Sequence, residues 1–262
     1  MIRLVRIEWL KLRTMRVGFG LLATSAALTA LFASLEASRA GNAQSGVAPL
    51  FTASGLATVT TVTGWSMIFA AVLGVIVTSG EHRHYTATLT YLATPNRRRV
   101  LVAKTLTAAG AGSIFGLISG LIATGVGLIF VAGHGYHVTL GSGTLVAHIF
   151  GAAIGAALFG AIGAGIGALL RSQLAGVITV FVWALVIESI IGGLFTSIRP
   201  YLPYTAATTL AGIKLGGAAF GPAHGVAGGR PLPFVAAAAL VLGVAALLDA
   251  IATRTALRRD VT

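Results

Sequence analysis

Six long apolar stretches, at roughly 17–36, 57–79, 105–132, 145–170, 174–197 and 232–253, constrain this chain more than anything else in it. A helix that crosses a bilayer needs about 20 mostly apolar residues, and each stretch reaches that length. A water-soluble domain carries about 25% charged residues; here 9% of 262 residues are charged, and the mean hydropathy is +0.93. The sequence therefore predicts an all-α, polytopic membrane protein, one transmembrane domain over 1–262 with six spans. The spans leave no room for a separate soluble catalytic domain, so an energy source would lie on another chain. The first stretch follows five basic residues, but it is too long for the apolar region of a signal peptide and no A-x-A site closes it. We read it as a retained span.

The net charge of +12 is explained by position. Short cytoplasmic loops are enriched in Lys and Arg. Assigned to alternate sides of six spans, fourteen cations fall on the side of both termini: Arg3, Arg6, Lys11, Arg13 and Arg16; Arg83, Arg97, Arg98, Arg99 and Lys104; Arg171; Arg254, Arg258 and Arg259. Four fall on the other: Arg39, Arg199, Lys214 and Arg230. Both termini are expected in the cytoplasm, with the chain in the cell membrane. Nucleic acid is not needed to explain the charge, because the Arg97–Arg99 run has no interleaved aromatics and no nucleic-acid motif.

Several chemistries find no support. There is no cysteine, which excludes disulfides, thiolate catalysis and Cys-based metal sites. Lys104-Thr105 is the only Lys followed by Ser or Thr, and the glycine required six residues before it is Arg98. There is thus no Walker A motif, no nucleotide cofactor is expected on this chain, and we do not read it as an enzyme. His134 and His137, in HGYH, and His82 and His84 lack a third ligand nearby; His148 and His224 stand singly. No serine sits in a GxSxG elbow.

Four segments carry functional expectations. Residues 2–16 form a basic amphipathic helix, with Leu4, Val5, Trp9, Leu12 and Met15 on one arc and Arg3, Arg6, Lys11 and Arg13 largely on the other. Such a helix would lie along the inner leaflet with its cations near anionic headgroups; a plain orientation signal is the alternative. From Gly80 to Lys104 the chain is too polar to span. Tyr85, Leu89 and Leu92 share one helical face before Pro95, which predicts a short cytoplasmic helix that docks on a partner or rests on lipid. Gly112, Gly116 and Gly120 form a stripe on the third span, and Gly151, Gly155, Gly163 and Gly167 lie on the fourth; small residues let membrane helices approach closely. This is either generic packing or a sliding interface. Glu188 stands well inside a run, where an ionised group costs on the order of 3 kcal/mol. It would line a hydrated path, bind a cation, or pair with a base such as Arg199. Residues 198–231 make an external connection, either re-entrant or an ordinary folded loop.

The opening IEWLKLRTMR, the loop GEHRHYTATLTYLATPNRRRVLVAK and FVWALVIESIIGGLFTSIRPYLPY together resemble the permease subunits of ABC type-2 exporters, particularly those of actinobacteria. The resemblance implies an elbow helix over 1–16 and a coupling helix within 80–96 that rests on a separate ATPase subunit. It further implies an external segment that dips back into the membrane after the fifth span. Glu81, Arg83, Thr86, Pro95, Arg97 and Lys104 fall on the family pattern, and Tyr85 stands where a glycine is common. On this basis Glu81, Arg83, Tyr85, Thr86, Leu89 and Leu92 are the expected contacts to the ATPase. ATP and Mg²⁺ would be bound by that partner, and a second permease, identical or different, would complete the path for export of an amphipathic or hydrophobic solute. The competing expectation is a proton-coupled secondary transporter that uses Glu188.

Overall fold

The computed structural model describes residues 1–42, 46–83, 96–138, 140–212 and 231–258. It is 84% helical with no strand among the described residues. Among the described residues, six helical segments are long and apolar enough to cross a membrane. Helix α1 (Ile2–Thr14) is separated from α2 (Arg16–Arg39) by Met15 alone, whose extended backbone turns the chain.

The second apolar run, expected as one span over 57–79, is broken. Helix α3 (Ala53–Thr60) ends, and α4 (Gly64–Arg83) begins after Thr61–Thr63. The cause is local: Thr58 to Thr63 are all β-branched, which crowds a helix, and threonine hydroxyls compete for its carbonyls. The Thr61 hydroxyl donates to the carbonyls of Ala57 and Thr58, and the Thr63 N–H turns back to the Thr61 carbonyl at 2.7 Å.

Helix α5 (Arg97–Gly133) starts well before the expected 105, because Asn96 accepts a hydrogen bond from the Arg99 N–H and caps it. Lys104 therefore lies inside a helix and not in the connecting loop. Helix α6 (Ser142–Leu170) ends at Arg171, which takes a left-handed φ of 53°. The Ser172 hydroxyl then caps α7 (Gln173–Phe181). The fifth span continues through a π-turn, Val182–Ile187, into α8 (Glu188–Leu194). After a 3₁₀ turn at Arg199–Tyr201 comes a short α9 (Pro203–Leu210), and α10 (Phe234–Arg258) closes the bundle.

The centre is α4 with α6. The most apolar 18-residue window of the Ala53–Gly80 segment is 94% buried within the single chain, whereas the α2 and α10 spans are mostly open to their surroundings. Met67, Ile68, Leu73 and Val75 of α4 are fully buried, and α6 packs on α4, α5, α9 and α10.

The glycine stripes make this packing possible. A β-carbon at Gly112 or Gly116 would fall on the carbonyl oxygen of Ala156 or Ala152 in α6, and one at Gly120 would lie 2.9 Å from the Ile149 Cα. From the α6 side, Gly151 meets the Leu210 carbonyl of α9, Gly155 the Met67 side chain, Gly163 the Ala71 carbonyl and Gly167 the Thr78 hydroxyl. With no hydrophobic drive between helices in lipid, backbone approach of this kind supplies the dispersion contact that holds them.

Candidate functional site

Contacts between elements sort the helix ends into two groups. The end of α4 meets the end of α6 at Thr78 and Gly167; α6 meets α10 where Gly165 faces Leu248 and Asp249; and the start of α5 meets α10 where the Thr105 hydroxyl donates to Asp249 Oδ2 at 2.9 Å. Exposed Arg16, Arg98, Arg99 and Arg254 belong to this end. At the opposite end the Thr60 hydroxyl bonds His148 Nδ1 at 2.9 Å, Phe51 packs edge-on to Tyr136, and α9 lies against α6.

A buried ion-pair cluster stands at the basic end. Lys104 Nζ donates to Glu8 Oε2 at 3.0 Å and to the Val77 carbonyl at 3.1 Å, and Lys11 Nζ donates to Glu8 Oε1 at 2.8 Å. The Glu8 and Lys104 side chains are 8% and 6% exposed. One ammonium thus ties α1 to the last turns of α4 and the second turn of α5, the two helices that flank residues 84–95. An acid in this place was legible: Glu8 falls in the middle of the arc made by Leu4, Val5, Leu12 and Met15, where an amphipathic helix has no ordinary use for a carboxylate.

That cluster shows which face α1 turns to the rest of the chain. Trp9, Leu12 and Met15 pack on the main core, and the Trp9 ring lies 3.5 Å from where a β-carbon at Gly110 would stand. The apolar arc therefore faces the bundle, with Glu8 on Lys104. The side that is left outward carries Arg3, Arg6 and Arg13 together with Ile7 and Leu10.

Glu188 does not meet Arg199, the pairing considered from sequence. Its Oε1 accepts from the Trp183 indole N–H at 2.9 Å and the Tyr204 N–H at 2.7 Å. Its Oε2 accepts from the Thr205 N–H at 2.9 Å and the Thr205 hydroxyl at 3.2 Å. Glu188 is 3% exposed and caps the N-terminus of α9, whose first N–H groups have no partner within the helix. Pro203 opens α9 at the position where a missing N–H costs nothing. The π-turn spaces residues so that Trp183 and Glu188, five apart, share a face, a local irregularity common at sites with a defined job. The side chain of Arg199 instead lies over Gly192, its Cγ 3.0 Å from a β-carbon there.

Changing Glu188 to leucine removes the acceptor for two buried backbone donors and an indole. Each buried donor left unmade costs about 1–3 kcal/mol, so a loss of several kcal/mol is expected. Glu188→Gln keeps one carbonyl oxygen and should lose less. Thermal unfolding in detergent checks the order of the two.

Of the expected ATPase contacts, Glu81 and Arg83 fall in the last turn of α4. Tyr85, Thr86, Leu89 and Leu92 lie outside the described residues, as do Pro95 of the family pattern and residues 213–230 of the external connection. His134 ends α5, with its Nδ1 2.8 Å from the Phe130 carbonyl. Among the described residues, no three His, Asp or Glu side chains gather as a metal site would need. Asp249 on α10 and the His148–Thr60 pair were not singled out from sequence; the only trace of the first is an acid late in an apolar run, and of the second there is none. Compared with known proteins, the sequence matches no family model and no curated protein.

Proposed function

We propose that the chain is the membrane-spanning subunit of an ABC type-2 exporter. It forms half of a pathway completed by a second permease and moves an amphipathic or hydrophobic solute outward, powered by a separate ATPase that binds at residues 80–96. ATP and Mg²⁺ belong to that partner.

The observation that supports this reading most is the Glu8–Lys104–Val77 cluster. A segment that is pushed by an ATPase transmits force only if its flanking helices form a stiff base, and Lys104 joins both of them to α1. The opposite end supports it too, since α9 returns from the fifth span to pack on α4, α6 and α10, in keeping with an external segment that dips back. In this reading the glycine-lined seam of α5 and α6 is where the helices repack between two arrangements, as alternating access needs.

The proton-coupled alternative requires Glu188 to take up and release a proton. Four donors from Trp183, Tyr204 and Thr205 hold its two oxygens in place at the start of α9. That is the setting of a structural cap.

The test is purification of the tagged chain from its own membranes, with ATP hydrolysis by the purified complex as readout. A companion ATPase should co-purify, and Leu89→Asp or Tyr85→Asp should release it while the permease remains folded. Recovery of the folded chain with no ATPase in several mild detergents would remove the energy source and with it the exporter reading.

A further inference from the structure

Helix α10 carries a carboxyl group into the basic end of the bundle with one oxygen unpaired. Asp249 Oδ2 meets the Thr105 hydroxyl of α5 at 2.9 Å. Oδ1 lies against α6, 3.3 Å from where a β-carbon on Gly165 would stand, and is buried with no hydrogen-bond partner. The chain treats its other buried acids differently: both oxygens of Glu8 and both of Glu188 accept hydrogen bonds. An ionised carboxylate left partly unpaired in a low-dielectric interior is costly, and such a group neutralises instead. We propose that Asp249 is a proton-binding site, which carries a proton while α10 is docked on α5 and α6 and releases it to water at the basic end when α10 draws back.

The surrounding groups leave a proton as the occupant. On α5 the adjacent Lys104 ammonium is turned to Glu8 and the Val77 carbonyl, and Arg98 and Arg99 are exposed. On α6 the neighbour is Gly165; His148 stands at the opposite end, and Arg171 follows the last helical residue. Helix α9 brings only Tyr204, whose ring packs on Phe159, and Arg254 of α10 itself is exposed. Asp249 forms no ion pair with a described residue. A metal ion such as Ca²⁺ or Mg²⁺ needs six or more oxygen ligands, whereas no three His, Asp or Glu side chains gather among the described residues, and the burial of Oδ1 leaves no space for a water or an ion to touch it. A proton needs no such space. With the proton on Oδ2, the 2.9 Å contact serves with its donor reversed, and the Thr105 hydrogen turns to its own helix, as Thr107 does to the Ala103 carbonyl. Oδ1 is then a neutral carbonyl oxygen, which tolerates a missing partner better than a donor does.

The same contacts tie the proton to helix docking. Ala245 and Ala252, one turn to either side of Asp249, are buried on the inner face of α10, while most of that helix is open to its surroundings. Ionisation would leave an unpaired charge on Gly165, relieved when α10 moves off α6 and water enters. Asp249 as a whole is half-buried, so the way to water is short. The inference is independent of the ATPase and of the exporter reading.

The test is infrared absorption of the full chain at neutral pH in heavy water, in a detergent that has no carbonyl group. The sequence holds only six acids, so a protonated-carboxyl band can be assigned by substitution. The band should be present in the unmodified chain, persist in Glu188→Gln and be absent from Asp249→Asn; Asp249→Ser serves where the asparagine variant does not fold. Above about pH 4, where an unfolded aspartate ionises, the folded chain then holds one proton more than the unfolded chain. Its stability relative to Asp249→Asn should therefore fall as pH rises, by about tenfold in the folding equilibrium per pH unit, until the folded carboxyl ionises. Beyond that pH, Ala252→Cys, buried beside the site, should gain reactivity toward a maleimide relative to the exposed Thr255→Cys. Absence of the band at neutral pH, its survival without Asp249 or its loss with Glu188 would overturn the proposal. So would stability profiles of equal slope with and without Asp249, or a labelling ratio that does not change with pH.

Discussion

Glu8→Leu is expected to destabilise the protein by about 3–5 kcal/mol, the range for breaking a buried ion pair by removing one partner. Glu8 faces two ammonium groups, Lys104 and Lys11, so its loss removes the carboxylate from both. Lys104→Met should cost less, because Lys11 stays on the carboxylate and its own side chain is 46% exposed, so water helps to solvate the pair. The double variant Glu8→Leu/Lys104→Met should recover much of the loss, since replacing a whole buried pair with apolar groups is often neutral or better. Thermal unfolding of the four proteins in one detergent gives the double-mutant cycle. Additive losses would mean that the two side chains do not act on each other. If the exporter reading holds, Lys104→Met should also weaken the coupling of ATP hydrolysis to transport more than it weakens ATPase binding, because the contact residues are untouched.

The second large effect is expected at the helix seam. Gly163→Ala and Gly116→Ala would each drive a methyl group onto a backbone carbonyl of the neighbouring helix, Ala71 or Ala152. Backbone has no rotamer to move, so the helices must separate; overpacking of this sort costs about 1–3 kcal/mol and sometimes more. Gly125→Ala is the matched control, since nothing lies within 4 Å of its β-carbon position. There the substitution should be neutral or stabilising by up to about 1 kcal/mol, from helix propensity alone. Unfolding midpoints of the three variants should separate Gly125 from the other two. Similar losses at all three positions would mean that glycine acts through flexibility and not through close approach.

How much of this was legible in the sequence depends on the scale of the feature. Six helices long enough to span were legible, because hydropathy over twenty residues leaves the backbone no other way to satisfy its polar groups in lipid. The close approach at Gly112, Gly116 and Gly120 was legible as a spacing, though not the identity of the facing helix. The break at Thr61–Thr63 was missed because an apolarity count treats threonine as nearly neutral, while its hydroxyl competes for helix carbonyls. The contact of α1 with the bundle was not legible for a different reason. An amphipathic arc says which face is buried and not whether lipid or protein buries it; Glu8, on that arc, was the residue that distinguished the two. Glu188 was found by the rule that an acid inside a span needs partners. Its partner was misjudged because sequence proximity offers Arg199, whereas a π-turn and a returning helix bring Trp183, Tyr204 and Thr205. Asp249 and Thr105 are 144 positions apart, and no local pattern joins them.

Sidedness is the claim on which the functional reading turns, since an ATPase can reach residues 80–96 only from the cytoplasm. Single cysteines at Thr14→Cys and His137→Cys, both exposed and at opposite ends of the bundle, can be placed in a chain with no other cysteine and probed with a membrane-impermeant maleimide. The account predicts that intact cells label His137→Cys and spare Thr14→Cys until the membrane is permeabilised. The reverse pattern, Thr14→Cys labelled from outside, would put the basic end and the 84–95 segment beyond the reach of any ATPase and contradict the proposed function.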